Sequence, residues 1–531
     1  MYKSRVNNYP MPKYPIGLQD FLCLRNDGYI YVDKTRYICE LIENGKYYFL
    51  GRPRRFGKSL FLSTMEYFFR GRRELFKGLY IDTYPWDWKE YPVIHLDLNG
   101  SNYPDSESLN ERLSNFLSEY EQSFSLAEDK AGSLSERLRN LIIKAYEKRG
   151  LPVVVLVDEY EKPVIDNIDN PDIMEKHRQS LQGFYSVLKS LDKYLKLVFL
   201  TGVTKFGQLN VFSGLNNIRD ISLNPKFGAI CGITFEELTE YFKEGINDLA
   251  KDRACGFEEV LSLLKTKYDG YHFSRNCPDI YNPFSIINAL ADLSVRPYWS
   301  YTGTPSILAK VLKQQNFNIE SLEGIRVDES RLMGIHNQIN DPVALFYQTG
   351  YLTIKEFNQE SELYTLGYPN YEVEQAFFNY LLPNFSGMNI IKTDSFMQDL
   401  SMAFETGDAK KAMETLEEFS AGISYDVIPK TESERHFQYL LYIICKLLLS
   451  RKNFVKVEEK TSDGRIDLLI STSRYVYIIE IKKDNNSQKA LEQIMEKEYH
   501  LQYRGDSRKV FLIGMNFSSE KRRLDGFTIS T

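Results

Sequence analysis

YYFLGRPRRFGKS, Tyr47 to Ser59, decides the fold of the first part of this 531-residue chain. The apolar run Tyr47–Leu50 predicts a buried strand, and a basic turn bounded by Gly51 and Gly57 follows it. From about Ser59 to Arg70 the pattern is that of an amphipathic helix. Gly57, Lys58 and Ser59 match the end of the phosphate-binding pattern GxxxxGK[ST]. There, backbone N–H groups at a helix N-terminus hold phosphate, Lys reaches the terminal phosphates, and Ser ligates Mg²⁺. The first glycine of that pattern falls at position 52, which is Arg52; Gly51 stands one residue early. Arg52, Arg54 and Arg55 are expected to flank the phosphates.

Working outward, Val93–Leu98, Val153–Val157 and Leu197–Leu200 read as strands, with helical patterns at Leu134–Lys148 and Arg178–Leu191 between them. Such alternation predicts a parallel α/β sheet. The second strand delivers Asp158-Glu159 to its C-terminal end, where open α/β sheets bind ligands. Asp158 is expected to hold Mg²⁺ through water, and Glu159 to polarise the water that attacks. At the end of the third strand Thr201 is a candidate donor to the γ-phosphate, with Thr204 as the alternative; Lys205 could stabilise transferred charge. An ordinary strand-end turn explains any one of these equally well. Asp97 and Asn99 have a weaker claim.

From about Thr234 the pattern turns mostly helical. A hairpin is expected at Tyr351–Phe357 and Leu363–Leu366, and one helical stretch over Ser395–Phe419. The segment beginning at Pro429 is a plausible boundary. Beyond it come a helix, Glu434–Leu449, then strands at Val455–Glu459, Ile466–Ser471, Tyr475–Ile481 and Lys509–Gly514, with a helix over Ser487–Tyr503. Glu480 and Lys482 are two apart, so on a strand they share a face. A hairpin turning at Ser473-Arg474 would lay Asp467 opposite Glu480, with Cβ atoms about 4.5–5.5 Å apart. Two carboxylates at that spacing can share one hard cation such as Mg²⁺, with Mn²⁺ as a substitute. Lys482 would then face the reacting phosphate. The plain alternative is a solvated strand face carrying a salt-bridge ladder.

Hydrophobic residues make up 43% and charged residues 26%, the proportions of a folded globular chain. The formal charge of -6 excludes a generally basic surface and confines any nucleic-acid contact to a local patch. Cys23, Cys39, Cys231, Cys255, Cys277 and Cys445 are scattered without zinc or disulfide spacing, which fits a reducing, cytoplasmic setting. The start lacks the apolar core of a signal peptide, and no apolar run reaches membrane-spanning length. No membrane association is expected.

RPRRFGKS, the strand end Asp158-Glu-Tyr-Glu-Lys-Pro163 and TGVTKF at 201–206 resemble the bacterial AAA-ATPase-like family with a C-terminal PD-(D/E)XK nuclease domain. The resemblance continues through Pro15–Phe21, Tyr31–Thr35, Gly214–Asp220, Tyr268–Tyr271, Tyr281–Phe284, Thr349–Thr353 and Leu366–Asn370, nearly the whole chain. RPRRFGKS is that family's usual form, Arg52 included. The resemblance implies that ATP binds at Gly57, Lys58, Ser59, Asp158 and Thr201. It also implies that Glu434, on the helix before the hairpin, joins Asp467 and Glu480 as a metal ligand. Gln493 and Tyr499 match a family glutamine and tyrosine; Gln438 stands where the helix pattern has His. The expected architecture is α/β: a P-loop ATPase over 1–235, a helical and winged-helix-like middle over 236–390, and a helical connector with a restriction-endonuclease-like domain over 391–531. The expected function couples ATP hydrolysis to Mg²⁺-dependent cleavage of nucleic acid, DNA ahead of RNA, with self-association open. In the alternative, the ATPase is a signalling switch whose C-terminal domain only binds or assembles. A weaker third reading is an ATP-driven remodeller of protein partners.

Overall fold

The structure is a computed structural model that describes residues 13–127, 132–167, 169–203, 217–299, 322–334, 342–424, 433–449, 454–459, 467–503 and 505–531. The chain folds as a mixed α/β protein in two compact units. One comprises 1–304 with 322–373, the other 305–321 with 374–531.

The first unit is built on five strands: β1 (Tyr47–Gly51), β2 (Val93–Asp97), β3 (Val153–Asp158), β4 (Leu195–Gly202) and β5 (Arg219–Asp220). Their spatial order is β2-β3-β4-β1-β5, and every pairing is parallel. The unbroken Val153–Val157 run suits a strand covered on both faces, and all of β3 is buried. On one face Phe49, Ile94, Leu96, Val155, Val157, Val198 and Leu200 pack against the helices Ser106–Ser123, Leu134–Arg149 and Pro171–Ser186. Capping boxes start the first two of these helices, Asp105 with Ser108 and Ser133 with Glu136. The β1 strand, though made first, lies between β4 and β5, so the phosphate loop opens beside the end of β4.

The helical middle of this unit begins at Thr234, which caps Phe235–Tyr241 through a box with Glu237. The stretch continues as Lys243–Asp252 after a break at Phe242, whose φ of -118° is not helical. Further along lie short helices at Glu329–Leu332 and Pro342–Thr349. A small antiparallel sheet of β6 (Arg326–Val327), β7 (Thr353–Asn358) and β8 (Leu363–Gly367) accompanies them, in the order β6-β8-β7.

In the second unit the expected helix over Ser395–Phe419 is two helices, Ile390–Thr406 and Ala409–Ala421. Gly407, with φ 84°, ends the first by a left-handed turn, and Asp408 caps the second by accepting from the Lys411 N–H. The sheet that follows has five strands: β9 (Phe454–Glu459), β10 (Leu468–Thr472), β11 (Tyr475–Lys483), β12 (Lys509–Ser518) and β13 (Arg523–Ser530). Their order is β13-β12-β11-β10-β9. The β9, β10 and β11 strands form an antiparallel meander. The helix Ser487–Glu496 carries the chain across to β12, parallel to β11, and β13 returns antiparallel. Among the described residues no helix is long and apolar enough to cross a membrane.

Candidate active sites

Between β1 and the helix Lys58–Phe69 the phosphate loop turns on Gly57, whose φ of 92° lies in the left-handed region that favours glycine. Arg52 does not face the phosphates. It is 1% exposed, and its guanidinium donates to the carbonyls of Gly51 (2.8 Å), Ser222 (2.9 Å) and Phe227 (2.9 Å) while stacking 4.3 Å from the Phe273 ring centre. The side chain is therefore spent beneath the loop, and Arg54 and Arg55 are the arginines that line the cleft. Lys58 Nζ donates to the carbonyls of Arg52 (3.1 Å) and Pro53 (3.3 Å) and lies 3.4 Å from Glu159 Oε1.

Asp158 ends β3, buried and in register with Asp97 of β2. Its Oδ1 accepts the Glu159 N–H at 3.0 Å. Burial, and then the charge of Glu159, pushes the Asp158 carboxyl up to about 6, against the opposing pull of Lys58 and a hydrogen bond from Ser59. Glu159 itself sits at φ 49°, in the left-handed region, where the chain turns sharply off the end of β3. Thr201 is fully buried, and its hydroxyl donates to Leu50 O at 3.0 Å, strapping β4 to β1. Any phosphate contact by that hydroxyl requires the strap to open. Thr204 and Lys205 lie outside the described residues.

Glu161, in the acid-rich Asp158–Glu161 run, is a further residue of this site that spacing alone does not mark. It is 1% exposed, and its Oε1 accepts the Val203 N–H. A Cβ at Gly202 would overlap its carboxylate. Glu161 thereby ties the end of β3 to the end of β4. The cleft around these groups has a volume of about 1450 Å³, its open mouth included. Arg54, Arg55, Lys58 and Lys162 supply cations, and Ile16, Leu18, Phe284 and Ile287 supply an apolar wall. Arg55 lies 4.9 Å from the Phe284 ring centre. Cations and an apolar wall thus line one cleft, a combination chemically able to take an anion joined to a flat apolar group.

The second site is built on the β10–β11 hairpin. Leu468 pairs with Ile479, which lays Asp467 across from Glu480. Asp467 Oδ2 accepts the Ile481 N–H at 2.8 Å. Glu480 is 2% exposed, and its Oε2 is buried without a hydrogen-bond donor among the described residues. Burial, then the charge of Asp467, pushes the Glu480 carboxyl up to about 7. Burial also raises Asp467, opposed by the Ile481 N–H and by Lys482. Gln493, on the crossover helix, donates through Nε2 to Glu480 Oε1, and its Oε1 accepts from Lys482 Nζ. The Lys482 ammonium lies 3.7 Å from Glu480 Oε1. Tyr499 is close enough for the charges of Glu480 and Asp467, after burial, to raise its phenol.

Two carboxylates, one with an oxygen that no donor among the described residues reaches, fit a hard divalent cation. Glu434 lies on the helix Ser433–Leu449, but its side chain is outside the described residues, as are Gly464–Ile466. Among the described residues no group of three or more potential ligands converges.

A parallel sheet with a glycine-lysine-serine loop, and a mixed sheet with a carboxylate–lysine hairpin, define a P-loop ATPase-like protein with a nuclease-like second domain. Residues 15–212 match the model of the predicted AAA-ATPase family, and residues 432–526 that of the PD-(D/E)XK nuclease superfamily. A relative from Azotobacter chroococcum mcd 1, described as an uncharacterized protein in the vnfD 5' region, is 32% identical over 527 residues, covering 98% of this chain and 99% of its own. The chain belongs to this AAA-ATPase-like family with a C-terminal PD-(D/E)XK domain. Among solved structures, Cdc6p from Pyrobaculum aerophilum is 12% identical with a TM-score of 0.23, covering 65% of this chain and 89% of that one. The Aeropyrum pernix ORC1 protein in complex with DNA is 12% identical with a TM-score of 0.22, covering 65% and 91%. TM-scores this low leave both likenesses without bearing on what this chain binds.

Proposed function

We propose that ATP binding and hydrolysis in the first unit control a Mg²⁺-dependent cleavage of nucleic acid, DNA ahead of RNA, by the second. The observation that carries the reading is Glu480: a buried carboxylate beside a second carboxylate, with one oxygen lacking any donor among the described residues. A bound cation would relieve both the repulsion and the orphaned oxygen.

Asp467 and Glu480, with Glu434, would hold Mg²⁺ or Mn²⁺. When bound, the ion acidifies a water and offsets phosphate charge. Lys482 orients and neutralises the scissile phosphate, and Gln493 fixes Lys482 relative to Glu480. In the cleft, Gly57 and Lys58 bind the phosphates, Ser59 and Asp158 hold the accompanying Mg²⁺, and Glu159 accepts a proton from the attacking water. Thr201 contacts the γ-phosphate once its bond to Leu50 opens. The apolar wall of Ile16, Leu18, Phe284 and Ile287 receives the base. The working segments are 1–235 for the ATPase, 236–390 for the helical and winged middle, and 391–531 for the nuclease, acting in the cytoplasm.

One observation favours the second reading, a switch whose C-terminal unit binds without cutting: the Lys482 ammonium is already engaged by Gln493 and Glu480. A nuclease assay with Mg²⁺ or Mn²⁺, with and without ATP, on wild type and Asp467→Ala separates the two. Cleavage by wild type alone, altered by ATP, supports coupling; equal inactivity of both proteins on DNA and RNA leaves the switch.

A further inference from the structure

One wall of the nucleotide cleft carries a polar group that the proposed reaction leaves unused. The helix Pro283–Ala291 is capped by Asn282, whose Oδ1 accepts the Ser285 N–H at 3.1 Å. Its inner face, Ser285, Ile286, Ala289 and Leu290, is buried. Ser285 Oγ donates to Glu372 Oε2 at 2.7 Å, and Oε1 of that 1% exposed carboxylate accepts the Trp299 N–H at 2.8 Å. The helix is therefore fixed in rotation, and the face it turns to the cleft is fixed with it. That face carries Phe284, Ile287 and Asn288, at the i, i+3 and i+4 spacing of neighbours on a helix. Asn288 Nδ2 donates to Phe284 O at 2.7 Å. A carbonyl oxygen can only accept, so the amide oxygen cannot take that place. Oδ1 is left as the other polar atom of the side chain, a pure acceptor beside the apolar wall, and no donor among the described residues reaches it.

We propose that Asn288 selects the base, its Oδ1 accepting the exocyclic amine of adenine, so that the cleft takes ATP and turns GTP away. This rests on the nucleotide reading of the cleft and adds the residue that chooses between purines. Adenine presents an N–H donor at its 6-position, whereas guanine presents a carbonyl oxygen there. Against guanine two acceptors face each other, or the amide turns over and gives up its bond to Phe284 O. Either outcome leaves a polar group unpaired in a partly enclosed wall, which costs affinity. Gln19 and Asn99 also line the cleft, but both are exposed amides that no side-chain hydrogen bond among the described residues orients, so neither enforces a choice.

Calorimetry on the full chain with Mg²⁺ and four triphosphates tests the assignment. ITP carries the 6-oxo group of GTP without its 2-amino group, and purine riboside triphosphate carries nothing at the 6-position. Wild type should bind ATP about tenfold or more tighter than ITP and GTP, with purine riboside triphosphate severalfold weaker than ATP. Asn288→Leu keeps the shape of the side chain without its polar atoms and should bring ATP and ITP within about twofold of each other. Asn288→Ala, a helix-favouring change, decides if the leucine variant does not fold. ITP binding wild type as tightly as ATP overturns the proposal, as does a preference for ATP that survives in a folded variant. Binding of all four without preference overturns this assignment alone; binding of none overturns the nucleotide reading and this with it.

Discussion

Glu480 makes the second site sensitive to pH in a direction that can be worked out. Its ordinary value is 4.5 and its folded value about 7, so between them the native state holds the proton that the unfolded chain has lost. The contribution of Glu480 to stability is therefore fully present below about 4.5 and is lost as pH rises through 7. Glu480→Gln keeps shape and acceptor while removing charge. In chelator it should match wild type near pH 4 and exceed it by about 2 kcal/mol at pH 8, read from thermal midpoints. Equal midpoints at pH 8 would show that neither burial nor the Asp467 charge destabilises the Glu480 carboxylate. In the other unit, Lys58→Ala should weaken ATP binding about tenfold or more by calorimetry, since the ammonium makes the charged contact to phosphate. Glu159→Gln should retain affinity and lose about 10²-fold or more of turnover, because an amide takes no proton. These residues stood out in the chain because their types and spacing are dictated by phosphate and metal chemistry. Arg52 did not read correctly: only the tertiary fold shows that its partners are the carbonyls of Ser222 and Phe227, far along the chain. Glu161 was hidden for the same reason, since its partner is the Val203 N–H.

At the level of elements, the helix Ser487–Glu496 sets where Gln493 stands, and Gly514 of β12 sets the helix. A Cβ at Gly514 would collide with the backbone of Ser487 and Leu491, and backbone cannot swing aside as a side chain can. Gly514→Ala should cost on the order of 1–3 kcal/mol and lower cleavage. Mn²⁺ binding by Asp467 and Glu480, which belong to the hairpin, should persist. Calorimetric loss of Mn²⁺ affinity together with cleavage would place the helix in the metal site itself. Strands with β-branched runs and helices with caps were legible, because each carries its own period. Counting outward from Ser473-Arg474 was enough to lay Asp467 across from Glu480, since a two-residue turn leaves one register. The β13 strand was not legible: Gly526 takes φ 98° within it, at the irregularity where the pairing with β12 shifts register between Met515 and Phe517. Gly407-Asp408 carried the signal of a helix break, and continuous apolar periodicity on either side masked it.

For the molecule as a whole, a net charge of -6 limits how nucleic acid can be held. A local basic patch neutralising three or four phosphates gives a slope of log K against log salt of roughly -3 to -4 on duplex DNA. A slope near -9, or none, would contradict a patch. The order of the strands in the first sheet has another consequence, which concerns synthesis. Leu50 closes its strap with Thr201, a residue 151 positions later in the chain. At ribosomal rates the apolar strand Tyr47–Leu50 leaves the exit tunnel roughly 8–30 s before β4 and β5 exist to receive it. Until then it is an open edge on a nascent chain, with both flanks unpaired. A ribosome-arrested chain ending before β4 should therefore crosslink to chaperones through Tyr47–Leu50, and one extended past β5 should release them.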